Sequence, residues 1–207
     1  MGMGTIISLW LKLAYTLFVI VLVPAYWLEH GPENLLWGSD IALFVTLLAL
    51  WMENALLASM MALAILVPEL AWNIDFFWRL MFGADSLQLL GTRYMFDPEV
   101  ALLIRALSLF HVALPALLAW LVYRLGYDRR ALIYQTVLAW VVLPATYLLT
   151  DPSANINWVR GFGREPQAWM PAPVYLLLLM IVFPVVVYLP THRLLKWLFA
   201  APRSSRC

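Results

Sequence analysis

Six apolar runs constrain this chain more than any other feature: 5–28, 35–52, 55–82, 98–123, 131–150 and 173–189. A helix rises about 1.5 Å per residue and the hydrocarbon core of a bilayer is about 30 Å thick, so runs of this length predict an all-α, polytopic transmembrane bundle of six spans. Composition agrees, because 64% of the residues are hydrophobic and only 12% are charged, against about 25% charged in soluble domains. No soluble fold could hide that much apolar surface. Many of the eleven Trp and nine Tyr lie near the ends of the runs, where amphipathic rings settle at the headgroup level.

The first run is longer than the apolar core of a signal peptide and no small-x-small cleavage site follows it, so it reads as a retained helix. The third run carries Pro68, which removes a backbone donor in mid-helix, and a kink or break is expected there. No soluble domain, low-complexity segment or inverted repeat is evident, so residues 1–207 read as a single membrane domain with a disordered tail at 201–207. Arg124, Arg129 and Arg130 in one short loop, and Arg193, Lys196, Arg203 and Arg206 at the C-terminal end, predict cytoplasmic placement for both. The loop at 29–34 has two Glu and no Lys or Arg and is expected outside. Six spans then put both termini in the cytoplasm, and a bacterial cytoplasmic membrane is the expected location.

Several function classes are excluded at this level. A net charge of +1 and the lack of a basic, aromatic-interleaved run argue against nucleic acid. The single cysteine, Cys207, permits neither an intrachain disulfide nor a cysteine metal cluster, and His30, His111 and His192 fall on an outer loop, a mid-membrane site and a cytoplasmic end. No P-loop, dinucleotide fingerprint or nucleophile elbow is present. No cofactor is expected, and the expected partner is membrane lipid or a lipid-like substrate.

Ionisable residues within spans are functional candidates by default because they are costly to bury. Here they are Lys12, Asp40, Glu69, Asp75, Arg79, Arg105 and His111, of which Glu69 and His111 lie near mid-membrane. Ser108 precedes His111 by three residues and so shares its helix face, which permits a Ser–His pairing for nucleophilic catalysis; a helical Ser also commonly bonds the carbonyl behind it. Glu69 and Asn73 share a face, and Asp75 with Arg79 reads as an ion pair near the outer interface. Glu69 has three candidate fates: pairing with Arg105, accepting a hydrogen bond from His111, or protonation. Ser39 and Asp40 open the second helix, and the outer loop brings Asn155, Asn157, Trp158 and Arg160. The expected site is therefore an outward-opening polar pocket with His111, Ser108 and Ser39 as catalytic candidates, and Asp40, Glu69, Asn73, Arg105, Asn155, Asn157 and Trp158 as substrate-binding candidates. A polar network that only fixes helix packing is the competing reading.

Three segments together carry a family resemblance. They are Asp40 after an aromatic-rich turn, the run from His111 to Leu114 and Pro115, and the last third from Thr150 through Asn155, Asn157 and Trp158 to Tyr188, Pro190 and His192. In these the chain resembles the YwaF-like bacterial integral membrane proteins and, more distantly, the androgen-induced membrane hydrolases of fatty acid esters of hydroxy fatty acids. The resemblance implies six helices with an intramembrane His and, in the hydrolases, a Thr nucleophile just before the second-helix Asp. That nucleophile position falls at Trp37 here, and the spacing from His111 to Pro115 is one residue shorter than the hydrolase pattern. It implies a lipid or fatty-acyl ester hydrolase or acyl transferase, with a lipid carrier and a structural subunit as the alternatives.

Overall fold

A computed structural model describes residues 6–84, 86, 91–163 and 166–199. The tail at 201–207, with Cys207, and the first residue of the expected opening span lie outside these. Among the described residues every regular element is helical: α1 (Leu9–His30), α2 (Gly38–Met52), α3 (Ala55–Phe82), α4 (Leu102–Leu107), α5 (Phe110–Leu125), α6 (Ala131–Leu149), α7 (Ala172–Val182) and α8 (Leu189–Leu198). The chain is an all-α polytopic helix bundle. Among the described residues five stretches are long and apolar enough to cross a membrane: α1, α3, α4 with α5, α6, and α7 through α8. The sixth, α2, is apolar but has only 15 residues, about 22 Å at the helical rise.

Centrally placed, α3 packs against α2 and α5 and also touches α6 and α8. Lipid is as apolar as leucine, so burial of hydrocarbon does not drive helices together in a bilayer; small residues that let backbones approach, and polar contacts, do. Ala42 and Ala49 of α2 and Ala58, Ser59 and Ala62 of α3 are fully buried. Leu17, Ile20, Leu70, Ile74, Ile133, Val141, Leu177 and Ile181 point outward, the apolar surface that such a bundle presents to lipid.

Proline placement explains several of the tertiary contacts. A helical proline has no N–H for the carbonyl four residues before it. Pro115 thus frees the His111 carbonyl, which accepts instead from Asn73 Nδ2 at 2.8 Å. Pro184 does the same to Met180, whose carbonyl accepts from Trp140 Nε1 at 2.9 Å, and the chain there passes through a π-helical turn, Phe183–Tyr188. Pro68, where a kink or break is expected, lies inside a helix that continues uninterrupted from Ala55 to Phe82. The helix is not broken there, and the break that does occur falls elsewhere. The expected fourth span begins at Leu102 rather than at residue 98 and divides into α4 and α5 at Ser108 and Leu109, where His111 N–H donates to the Ser108 carbonyl in a tighter i, i+3 turn. The last apolar helix runs on to Leu198, past the expected end at residue 189, and carries His192, whose Nδ1 lies 2.7 Å from the Tyr127 hydroxyl.

Lys12, an intramembrane candidate, is buried against Glu53, with Nζ 2.8 Å from Oε1. The same carboxylate accepts from the Ile6 and Ile7 N–H groups, fastening the α2–α3 turn to the start of the described chain. The Lys12 ammonium, then the Ile6 amide, hold the Glu53 carboxyl below its ordinary value.

Candidate functional site

The mid-membrane pair comes together across two helices. Glu69 on α3 and His111 on α5 meet with His111 Nδ1 at 2.8 Å from Oε2 and 3.0 Å from Oε1. Of the three fates open to Glu69, pairing with His111 is the observed one. Their side chains are 5% and 14% exposed, and the imidazole is sandwiched between Trp72 and Phe110, with centroids 4.5 Å and 4.0 Å away. Trp72 follows Glu69 by three residues on α3, so one helix face supplies both the carboxylate and the stacking surface. With the ring fixed on both faces and Nδ1 engaged by a carboxylate, Nε2 is the nitrogen left to exchange a proton.

The pair lies on the wall of a cavity of about 830 Å³. The ends of α1 and α2, the middle of α3, the α4–α5 junction, α6, the π-helical turn and the two long loops all contribute to it. Its wall includes Ser39, Asp40, Glu69, Ser108, His111, Asn155, Asn157 and Trp158. Asn73 and Arg105 are not among the lining residues: Asn73 is a strut, donating to the Glu69 and His111 carbonyls, and the Arg105 Nε is buried without a hydrogen-bond partner among the described residues.

Ser108 does not pair with His111 among the described residues, because the helix turns tighter at this junction. Its hydroxyl donates to the Ile104 carbonyl at 2.9 Å. With that proton committed, the Tyr26 hydroxyl, 2.6 Å away, is the donor in their mutual bond. Asp40 is 3% exposed, and its Oδ1 has no hydrogen-bond partner among the described residues. Asp75 and Arg79 form the expected pair, at 3.5 Å, and both side chains are buried within the protein. Asp75 also accepts from the Thr92 hydroxyl and Arg79 donates to the Ala84 carbonyl, so the pair anchors both ends of the loop that follows α3.

The outer loop is built by its own polar side chains. Asn155 and Asn157 have positive φ, 43° and 55°, a conformation Asn tolerates better than most residues. Asn155 Nδ2 donates to the Gly161 and Gly163 carbonyls and its Oδ1 accepts from Arg160 N–H. Asn157 donates to the Leu36 carbonyl and Thr146 hydroxyl and accepts from Gly38 N–H, capping α2, which lacks a side-chain cap of its own. Arg160 lies over the Tyr147 ring at 4.1 Å and donates to the Tyr147 carbonyl in the last turn of α6. These side chains hold the loop over the cavity, and Trp158 meets Trp37 edge to face.

Sequence reasoning missed much of the wall. Tyr26, His30, Trp37, Trp72, Tyr94, Gln135 and Tyr188 all line the cavity. His30 therefore shares it with His111, whereas position along the chain had assigned them to separate sites. Gln135 carried a legible signal, an amide within an apolar run, and it donates to the Tyr188 hydroxyl at 3.5 Å. The aromatic residues carried none, since nothing distinguishes them from interfacial rings. Burial, first of all, pushes the Tyr94 phenol up to about 12, with further contributions from the charges of Glu69 and Asp40, so the loop between α3 and α4 also faces both carboxylates. No group of three His, Cys, Asp or Glu able to hold a metal ion occurs among the described residues. No family model, curated protein or solved structure matches the chain.

Proposed function

We propose that this integral membrane protein takes the acyl end of a lipid-like ester into the cavity and hydrolyses or transfers it, with His111 as general base. The hydrogen bond between Glu69 and His111 Nδ1 carries this reading. A carboxylate there selects the tautomer with Nε2 unprotonated, orients the ring, and stabilises the imidazolium that forms, as the third member of a triad does. Water is the attacking group: Nε2 takes one proton, the hydroxide adds to the acyl carbonyl, and the imidazolium returns the proton to the departing alkoxide. Ser108 has committed its proton to Ile104, and Trp37 occupies the nucleophile position of the resembled hydrolases, which leaves Ser39 as the side-chain alternative. The lack of a committed nucleophile also favours a second reading, a carrier that binds such an amphiphile without turning it over. Loop charges support both termini lying on the cytoplasmic side of a bacterial inner membrane, with the cavity opening outward.

The test is release of free acid from a panel of acyl esters by the full chain in nanodiscs. A general base contributes about 10²–10⁴-fold, so His111→Ala should lose turnover by that factor, Glu69→Gln should lose part of it, and Ser39→Ala should retain it. Wild type inert on every ester, or a His111→Ala variant as active as wild type, would overturn the enzyme reading and leave the carrier.

A further inference from the structure

We infer that Asp40 is the recognition point for a positively charged head, of the alkylammonium class, on the molecule that enters this cavity. Asp40 is buried and faces the cavity, and its Oδ1 has no hydrogen-bond partner among the described residues. Buried carboxylates are ordinarily paired, and an unpaired one costs several kcal/mol. The neighbouring groups do not supply the missing positive charge. Tyr26, Tyr94 and Glu69 lie within electrostatic reach of Asp40; the first two are neutral phenols and the third is itself acidic.

Charge balance at the wall leads the same way. The Glu69–His111 pair carries zero or one negative charge, depending on whether it holds the extra proton, so an ionised Asp40 makes this part of the cavity negative in either state of the pair. Arg79 is tied to Asp75 and to the Ala84 carbonyl, and Arg93, at the rim, is exposed. Trp37 and Tyr26 also line the cavity. Aromatic faces with a carboxylate recognise quaternary ammonium groups, because the ring quadrupole attracts a cation without demanding the hydrogen bonds such a group cannot make. A metal ion would need more donors than Asp40 offers, and an anionic head would face two carboxylates.

The inference rests on reading the cavity as a ligand site and is independent of turnover. Its test is equilibrium binding by tryptophan fluorescence, with the full chain in nanodiscs and three probes of equal chain length: hexyltrimethylammonium, hexanol and hexyl sulfate. Wild type should bind the ammonium at least about tenfold more tightly than the alcohol, a preference of the size that one desolvated charge pair with cation–π contact supplies, and should bind the sulfate most weakly. Asp40→Asn should lose the ammonium preference while still binding hexanol. Equal affinity of wild type for ammonium and alcohol overturns the inference, as does an Asp40→Asn variant that retains the preference. If Asp40→Asn does not fold, the order of the three probes on wild type decides. Ester turnover without ammonium preference would remove this inference and keep the enzyme reading; ammonium preference without turnover would do the reverse.

Discussion

Replacing Asn157 should show that this loop residue is a structural clamp and not a ligand contact. Its side chain makes three hydrogen bonds, to the Leu36 carbonyl at 2.8 Å, the Thr146 hydroxyl at 3.1 Å and the Gly38 N–H at 2.8 Å. Thr146 is fully buried and Gly38 N–H is one of the unpaired donors at the start of α2. Polar contacts between membrane helices contribute about 0.6–1.5 kcal/mol each, so Asn157→Ala should cost about 2–4 kcal/mol, with about 1 kcal/mol more because alanine is poorly suited to the observed φ of 55°. Glycine at 157 removes the backbone part and keeps the rest, whereas aspartate keeps the acceptor for Gly38 and loses both donations. Reversible unfolding in mixed micelles should therefore rank the variants Asp, Gly, Ala from most to least stable. Ester turnover and probe affinity should fall only as the folded fraction falls. A loss below about 0.5 kcal/mol for alanine, or a stable Asn157→Ala protein with abolished ligand binding, would refute the clamp.

Trp140→Phe should cost about 1 kcal/mol by orphaning the Met180 carbonyl that Pro184 leaves without its usual donor, and the cost should shrink in a Pro184→Ala background; equal costs in both backgrounds would contradict the proline argument. The depressed Glu53 carboxyl contributes stability above its ordinary value of 4.5 that is lost as pH falls through its lower folded value. Glu53→Gln should accordingly flatten the acid limb of a Tm-against-pH curve, and an unchanged limb would place the acid sensitivity elsewhere. For topology, cysteines at 129 and 153 in a Cys207→Ser background should label from opposite sides of sealed vesicles; labelling from one side would sink the proposed orientation.

The length of the apolar runs and the composition alone determined that this chain is an all-α bundle in a membrane, because a bilayer admits few other solutions for runs this apolar. The same cost argument picked out Glu69, His111 and Asp40, since a buried ionisable group is conspicuous in hydrocarbon-like sequence. Which of them meet was not legible. Glu69 and His111 are 42 positions apart, and their contact depends on how α3 packs against α5, a matter of small-residue spacing and crossing geometry that one-dimensional pattern does not encode. Proline illustrates the limit further. Sequence showed that Pro68 and Pro115 each lack a donor, but only the tertiary structure decided that α3 runs on through Pro68, that α4 and α5 separate before Pro115, and that Asn73 takes up the freed His111 carbonyl. Amides suit both binding and turns, so sequence left the roles of Asn155 and Asn157 open; their partners, fixed by the fold of the loop over α2 and α6, make them its framework on the cavity wall. Asp40 Oδ1 is left without a hydrogen-bond partner among the described residues, since the groups within electrostatic reach of it include neutral phenols and a second carboxylate.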